Sequence, residues 1–153
     1  MKNKKTLAAI VGAGAAASLF ILTPSFEGTV TKTYKDLGGV LTYCTGATED
    51  AQWGKTYTQE ECKAQLDYDL ARHAEGMMKC IKVELTEGQK VAFVDLTFNI
   101  GIGNFCRSTV ARKANLGDVK GSCDSILMWN KVQGKEIRGL TRRRIAERDI
   151  CLK

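Results

Sequence analysis

Glu27, Asp36 and Thr42 fall within "FEGTVTKTYKDLGGVLTYCTG" (residues 26–46), with eight residues between the two acids and five between Asp36 and the threonine. Two carboxyl groups can divide the hydrolysis of a glycosidic bond. One protonates the departing oxygen, and the other, on the opposite face of the sugar, activates water or attacks directly. The division needs two different surroundings. Phe26 and the apolar stretch before it suit a proton donor at Glu27. Lys35 and the flexible Leu37-Gly38-Gly39 around Asp36 suit an anion. Spacing alone does not single the pair out, because 17 acidic residues supply many such pairs and most are solvated surface groups.

The elements that must hold these groups can be read along the chain. At 153 residues the length fits one compact domain. "MKNKK" and the uncharged Thr6–Thr23 stretch have the basic start and apolar middle of an export signal, and 18 residues are near the lower limit for spanning a bilayer. Ala and Gly dominate that stretch, so lipid would hold it weakly. Either it is cleaved after Ser25, or it is an uncleaved anchor that later slips out of the bilayer; the low hydrophobicity favours the anchor. The basic front keeps the N-terminus cytoplasmic and sends the remainder to the periplasm. Residues 1–25 are thus read as a signal-anchor or export segment and residues 26–153 as the catalytic domain.

Residues 26–57, rich in Gly, Thr and Tyr, predict a small irregular antiparallel sheet. Helices follow. Thr58 with Glu61 and Thr86 with Gln89 are capping boxes, the second ahead of "VAFVDLTFNI", a run apolar nearly all round that predicts a central buried helix. Ser108, Asp118 and Thr141 are further candidate caps. The expected class is α+β: an N-terminal apolar helix, a small β lobe carrying the acids, and a mainly helical lobe, with a cleft where the lobes meet.

The net charge of +6 favours an anionic partner. Much of it lies in "RGLTRRRIAER" (138–148), which reads more simply as the solvated face of a helix. Six cysteines without a CxxC pair fit disulfides better than a zinc site. Of 15 possible connectivities, the expected one joins consecutive segments: Cys44 with Cys62, Cys80 with Cys106, and Cys123 with Cys151. His73 has no partner histidine in the chain and reads as structural, and Trp129 as core. "GIGNF" (101–105) follows a helix and lacks the third glycine of a dinucleotide motif.

The arrangement of Glu27, Asp36 and Thr42 resembles the catalytic signature of the phage-type lysozymes, the endolysins with which bacteriophages open their hosts. The resemblance extends through "TYTQEECKAQLDYDL" (56–70), "AFVDLTFNIGIGNFCRST" (92–109), "ARKANLGD" (111–118) and "GLTRRRIAERDIC" (139–151). It implies a lysozyme-like fold and hydrolysis of the β-1,4 bond between N-acetylmuramic acid and N-acetylglucosamine in peptidoglycan, leading to host cell lysis. Glu27 would be the general acid, Asp36 the carboxylate that polarises the attacking water, and Thr42 a holder of that water. Inversion would follow, with the carboxyls farther apart than the ~5 Å of a retaining pair.

By the same matching Phe98 and Ser108 would line the sugar cleft, although Phe98 reads equally as core and Ser108 as a helix cap. The N-terminal stretch is similar to that of the signal-anchor-release endolysins, which implies an enzyme tethered through residues 6–23 to the host inner membrane and then released to the periplasm. A monomer is expected, with no metal, no cofactor and no nucleic-acid partner. One departure is that "YCTGAT" after Thr42 offers no histidine where many relatives have one. Two competing functions are a lytic transglycosylase acting on the same bond and a basic wall-binding protein without catalysis.

Overall fold

In the computed structural model, which describes residues 5–153, the chain starts with two helices that meet at a glycine corner. Of the basic start, Lys5 alone falls within the described residues. Thr6 caps α1 (Leu7–Val11) by accepting from the Ala9 N–H at 3.2 Å. Gly12, at φ +94°, ends α1 and opens α2 (Ala13–Glu27). Few other residues adopt that backbone at low cost. The corner divides the apolar stretch. At 1.5 Å per residue the 15 residues of α2 extend only about 22 Å, and no helix among the described residues is long and apolar enough to cross a membrane. Leu7, Val11, Ala15, Ala16 and Leu19 are instead buried in the main core with Leu66, Leu70, Phe93 and Phe105. The boundary read at Ser25 lies inside the last turns of α2.

The β lobe follows directly. β1 (Val30–Lys35) and β2 (Leu41–Cys44) pair antiparallel, with Tyr34 opposite Thr42, and the register shifts between Val30 and Tyr34. A second small core of Tyr43, Cys44, Ala47, Tyr57 and Cys62 underlies the hairpin. Thr58 and Glu61 form the expected capping box at the start of α3 (Gln59–Cys80), and Thr86 and Gln89 do the same for α4 (Glu87–Ile100).

α4 is the central buried helix that its composition predicts, with Val91–Thr97 buried throughout. α2, α3 and α8 (Arg138–Cys151) pack around it. Between α4 and α8 come α5 (Ile102–Cys106), α6 (Thr109–Asn115), α7 (Val119–Ser125) and a 3-10 turn over Ile126–Met128.

All three disulfides join consecutive cysteines: Cys44–Cys62 ties β2 to α3, Cys80–Cys106 ties α3 to α5, and Cys123–Cys151 ties α7 to α8. Two further features differ from the sequence expectation. A short hairpin, β3 (Lys131–Val132) with β4 (Lys135–Glu136), turns through Gln133 and Gly134, both at positive φ. Its exposed two-residue strands carry no alternation that a sequence pattern could detect. α8 begins at Arg138, three residues before the anticipated cap at Thr141. The Thr141 hydroxyl donates to Glu136 Oε1 at 2.9 Å and accepts from Asn130 Nδ2 at 3.2 Å, tying the helix to that hairpin.

Asp69, buried on α3, accepts a long hydrogen bond from Gln65 Nε2 at 3.3 Å. Burial raises its pKa against the weaker opposing pull of Gln65 and Arg72. The folded chain therefore holds that proton more tightly than the unfolded chain. Its contribution to stability is full at pH below the unfolded carboxyl range and is lost as pH rises through the folded value. Asp69→Asn, which stays neutral, should raise the melting temperature at pH 7 relative to the parent. The gain should shrink towards pH 4 in thermal unfolding followed by circular dichroism.

Candidate active site

Glu27 is the last residue of α2, and Gly28 at φ +72° turns the chain sharply into the β lobe. Its Oε1 accepts from Arg143 Nη1, reaching across from α8, and the Arg143 guanidinium lies over the Phe26 ring at 5.3 Å. The neighbour of Glu27 is thus a cation held in place, where the sequence suggested an apolar wall. Arg143 is itself clamped from behind: Nε donates to Asp95 Oδ2 at 3.0 Å and Nη2 to Asp95 Oδ1 at 3.1 Å. This bidentate geometry is the strong form of the interaction.

The charge states of the buried groups follow from their neighbours. Burial by itself would raise the pKa of Asp95, but a hydrogen bond from Glu147 and the charge of Arg143 override it and hold the carboxyl below its ordinary value. Burial likewise disfavours the Arg143 cation, yet Asp95 and Glu27 outweigh that and its pKa is raised. Glu147, fully buried on α8, has its pKa pushed well up by burial and by Asp95 beside it. Arg144 Nη2 reaches Glu147 Oε2 at 3.1 Å, while the 2.7 Å approach of its Nε to Oε1 is an ion-pair contact out of line for a hydrogen bond.

These contacts correct the solvated-face reading of "RRR". Arg142 is exposed, but Arg143 and Arg144 are only 4% and 0% exposed. Sequence reasoning missed Asp95, Arg143 and Glu147 as parts of the site. A usable signal was there: an acid inside the apolar run of α4 requires a buried cation, and Arg144, Glu147 and the disulfide-bonded Cys151 recur on one helical face.

The β1–β2 hairpin holds the other two residues of the sequence signature. Asp36 Oδ1 accepts from the backbone N–H groups of Gly38 (2.9 Å) and Val40 (2.8 Å), so one carboxyl oxygen fixes the turn while the side chain stays exposed. The Thr42 hydroxyl donates to the Val40 carbonyl at 3.0 Å. With its proton so placed, the buried oxygen of Thr42 can accept from a water molecule. Val40 thus connects Asp36 and Thr42, and the hairpin register sets both. The chain then loops through Gly46, at φ +75°, whose Cα faces Glu27: a Cβ built there would lie 3.3 Å from Glu27 Oε2.

Glu27 and the Gly46 loop therefore meet, and the hairpin bearing Asp36 and Thr42 leads directly into that loop. Phe98, half-buried on α4 one turn beyond Asp95, packs its ring at 5.2 Å from that of His73. Ser108 is buried; its hydroxyl donates to the Phe105 carbonyl (2.6 Å) and accepts from the Ala111 N–H (3.1 Å), capping α6. Among the described residues no cluster of three or more His, Cys, Asp or Glu side chains could hold a metal ion. A cavity of about 520 Å³ lined by Tyr43, Glu49, Tyr57, Glu61 and Tyr68 lies against the start of α3 and includes none of Glu27, Asp36 and Thr42.

Gly46→Ala should strain the left-handed turn by about 1–2 kcal/mol and push on the Glu27 carboxylate. The expected result is a lower melting temperature together with at least a tenfold loss, roughly, of turnover on cell-wall substrate. Unchanged turnover would show that the loop does not bear on Glu27.

A family model described as "Phage lysozyme" matches residues 24–147. The chain is 46% identical over 156 residues to the SAR-endolysin of Enterobacteria phage P21, covering 97% of this chain and 94% of that protein. Among solved structures, a P22 lysozyme mutant superimposes with a TM-score of 0.81 at 31% identity, covering 90% of this chain and 97% of that one. The muramidase domain of SpmX from Asticaccaulis excentricus gives 0.83 at 30% identity, covering 89% and 95%. The family match spans the junction of α2 with the β lobe and continues through the arginines of α8, the elements that meet at Glu27, and the chain belongs to the phage lysozyme family.

Proposed function

We propose that the protein is an endolysin that hydrolyses the β-1,4 bond between N-acetylmuramic acid and N-acetylglucosamine in bacterial peptidoglycan and so lyses the host cell. The observation that carries this reading is that Glu27 and Asp36 are each gripped through one carboxyl oxygen, by Arg143 and by the Gly38 and Val40 amides. Such grips fix direction while leaving the second oxygen of each group for chemistry. Glu27 delivers the proton to the leaving oxygen. Asp36 polarises the attacking water and steadies the cationic transition state, and Thr42 accepts a hydrogen bond from that water. Inversion at the anomeric carbon follows if the carboxyls stand farther apart than the ~5 Å of a retaining pair. Phe98 and Ser108 are assigned to the wall of the sugar cleft.

Glu27→Gln removes the proton donor and keeps the shape. Release of muropeptides from purified peptidoglycan should fall by about 10²–10⁴-fold, while sedimentation with the wall should persist on the basic surface. Mass analysis of the parent's products separates two reactions: reducing-end muropeptides support hydrolysis, whereas anhydro-muropeptides would make it a transglycosylase.

The apolar Thr6–Thr23 stretch supports a second part of the reading: residues 1–25 act as a signal-anchor that first holds the enzyme on the host inner membrane, with the catalytic domain in the periplasm, and then leaves the bilayer. The likeness to SAR-endolysins supports it, as does the Ala- and Gly-rich composition. Residues 1–43 contain no cysteine, so release needs no thiol exchange from the anchor. Ala13 and Ala17 are exposed in the folded enzyme. Ala13→Leu with Ala17→Leu should therefore raise the affinity for lipid without crowding the core. Lysis should be delayed while the purified soluble enzyme keeps its activity; unchanged lysis timing would argue against slippage from the bilayer.

A further inference from the structure

Thr23 is fully buried on α2, and its hydroxyl donates to Asp95 Oδ1 at 2.7 Å. That oxygen also accepts from Arg143 Nη2, and the same guanidinium holds Glu27. Thr23 precedes Glu27 by four residues, so the two side chains leave α2 on one face, a turn apart. The contacts form a closed ring: Glu27 to Arg143, Arg143 to Asp95, Asp95 to Thr23, and Thr23 back along one helical turn to Glu27. We propose that Thr23 is a positioning residue for Glu27, fixing the last turn of α2 on Asp95 so that the carboxyl meets Arg143 in a single orientation. This rests on the reading of Glu27 as the general acid.

Two local features make such a fixing necessary. Pro24 has no N–H, so one backbone hydrogen bond is missing from the turn that ends at Glu27. Gly28 then leaves the helix at positive φ, so the backbone beyond Glu27 adds little stiffness. No disulfide reaches α2. Among the described residues, hydrogen bonds tie the last turn of α2 to α4 and α8 through Thr23 and Glu27, so without the hydroxyl that tie is left to the long side chain of Arg143. A buried hydroxyl also costs stability unless it is bonded, and the Thr23 hydroxyl finds its partner in the Asp95 carboxylate. Threonine at the close of an apolar stretch would otherwise read as an isostere of valine.

The test compares Thr23→Val, which keeps the shape, with Thr23→Ser, which keeps the hydroxyl. The readout is initial muropeptide release over a range of peptidoglycan concentrations, with near-UV circular dichroism confirming the fold. Thr23→Val should lower kcat by about tenfold with apparent KM within about twofold, the pattern of a lost transition-state interaction. Thr23→Ser should restore kcat to within about twofold of the parent. Parent-like kcat in Thr23→Val, or no rescue by serine, overturns the proposal.

If valine does not fold, Thr23→Ala is read the same way. If neither folds, the hydroxyl is a structural group and the positioning role is overturned. Glu27→Gln in the same assay separates the two levels: an active Glu27→Gln variant sinks the reading of the acid itself. An inactive one beside a parent-like Thr23→Val sinks the role of Thr23 alone.

Discussion

The buried pair of Asp95 and Arg143 is the constraint on which the site depends. A carboxylate at the centre of α4 has no access to water, and removing either partner of such a pair leaves an uncompensated charge at a cost on the order of 3–5 kcal/mol. The cation that satisfies Asp95 comes from α8, 48 positions later, and its Nη1 reaches the end of α2. Three helices distant in sequence are brought together by one ionic requirement. The residue at which they meet is Glu27.

The β hairpin is built on another principle. Asp36 and Thr42 are located by backbone amides and a carbonyl of one tight hairpin turn, so their geometry is local and needs no buried charge. Cys44–Cys62 fastens that hairpin to α3. A rigid helical side and a locally ordered β side thus approach each other across Gly46, where the absence of a side chain lets the loop come close to the Glu27 carboxylate.

Legibility in the sequence divides along the same line. Features written into a few adjacent residues were readable: both capping boxes, the apolar α4 and the β-prone segment with its acids; the disulfide pairing, chosen as consecutive among many possible connectivities, agrees with the structure. Features that depend on partners far along the chain were not. Asp95 stood as one acid in an apolar run, and Arg143 as one of three arginines, with nothing local to separate it from the exposed Arg142. The N-terminal stretch shows the limit most clearly. Its composition suits a weak membrane segment, and the same small residues let α1 and α2 pack closely against α3 and α4. Periodicity could not distinguish these two environments, because Ala and Gly are compatible with both.

The three bridges also bear on how the chain matures. None is nested within or interleaved with another: each closes before the next cysteine in the sequence appears. Coupling each thiol to the next one along the sequence therefore reaches the native connectivity directly. No bridge encloses a cysteine of another, so none has to open for another to form.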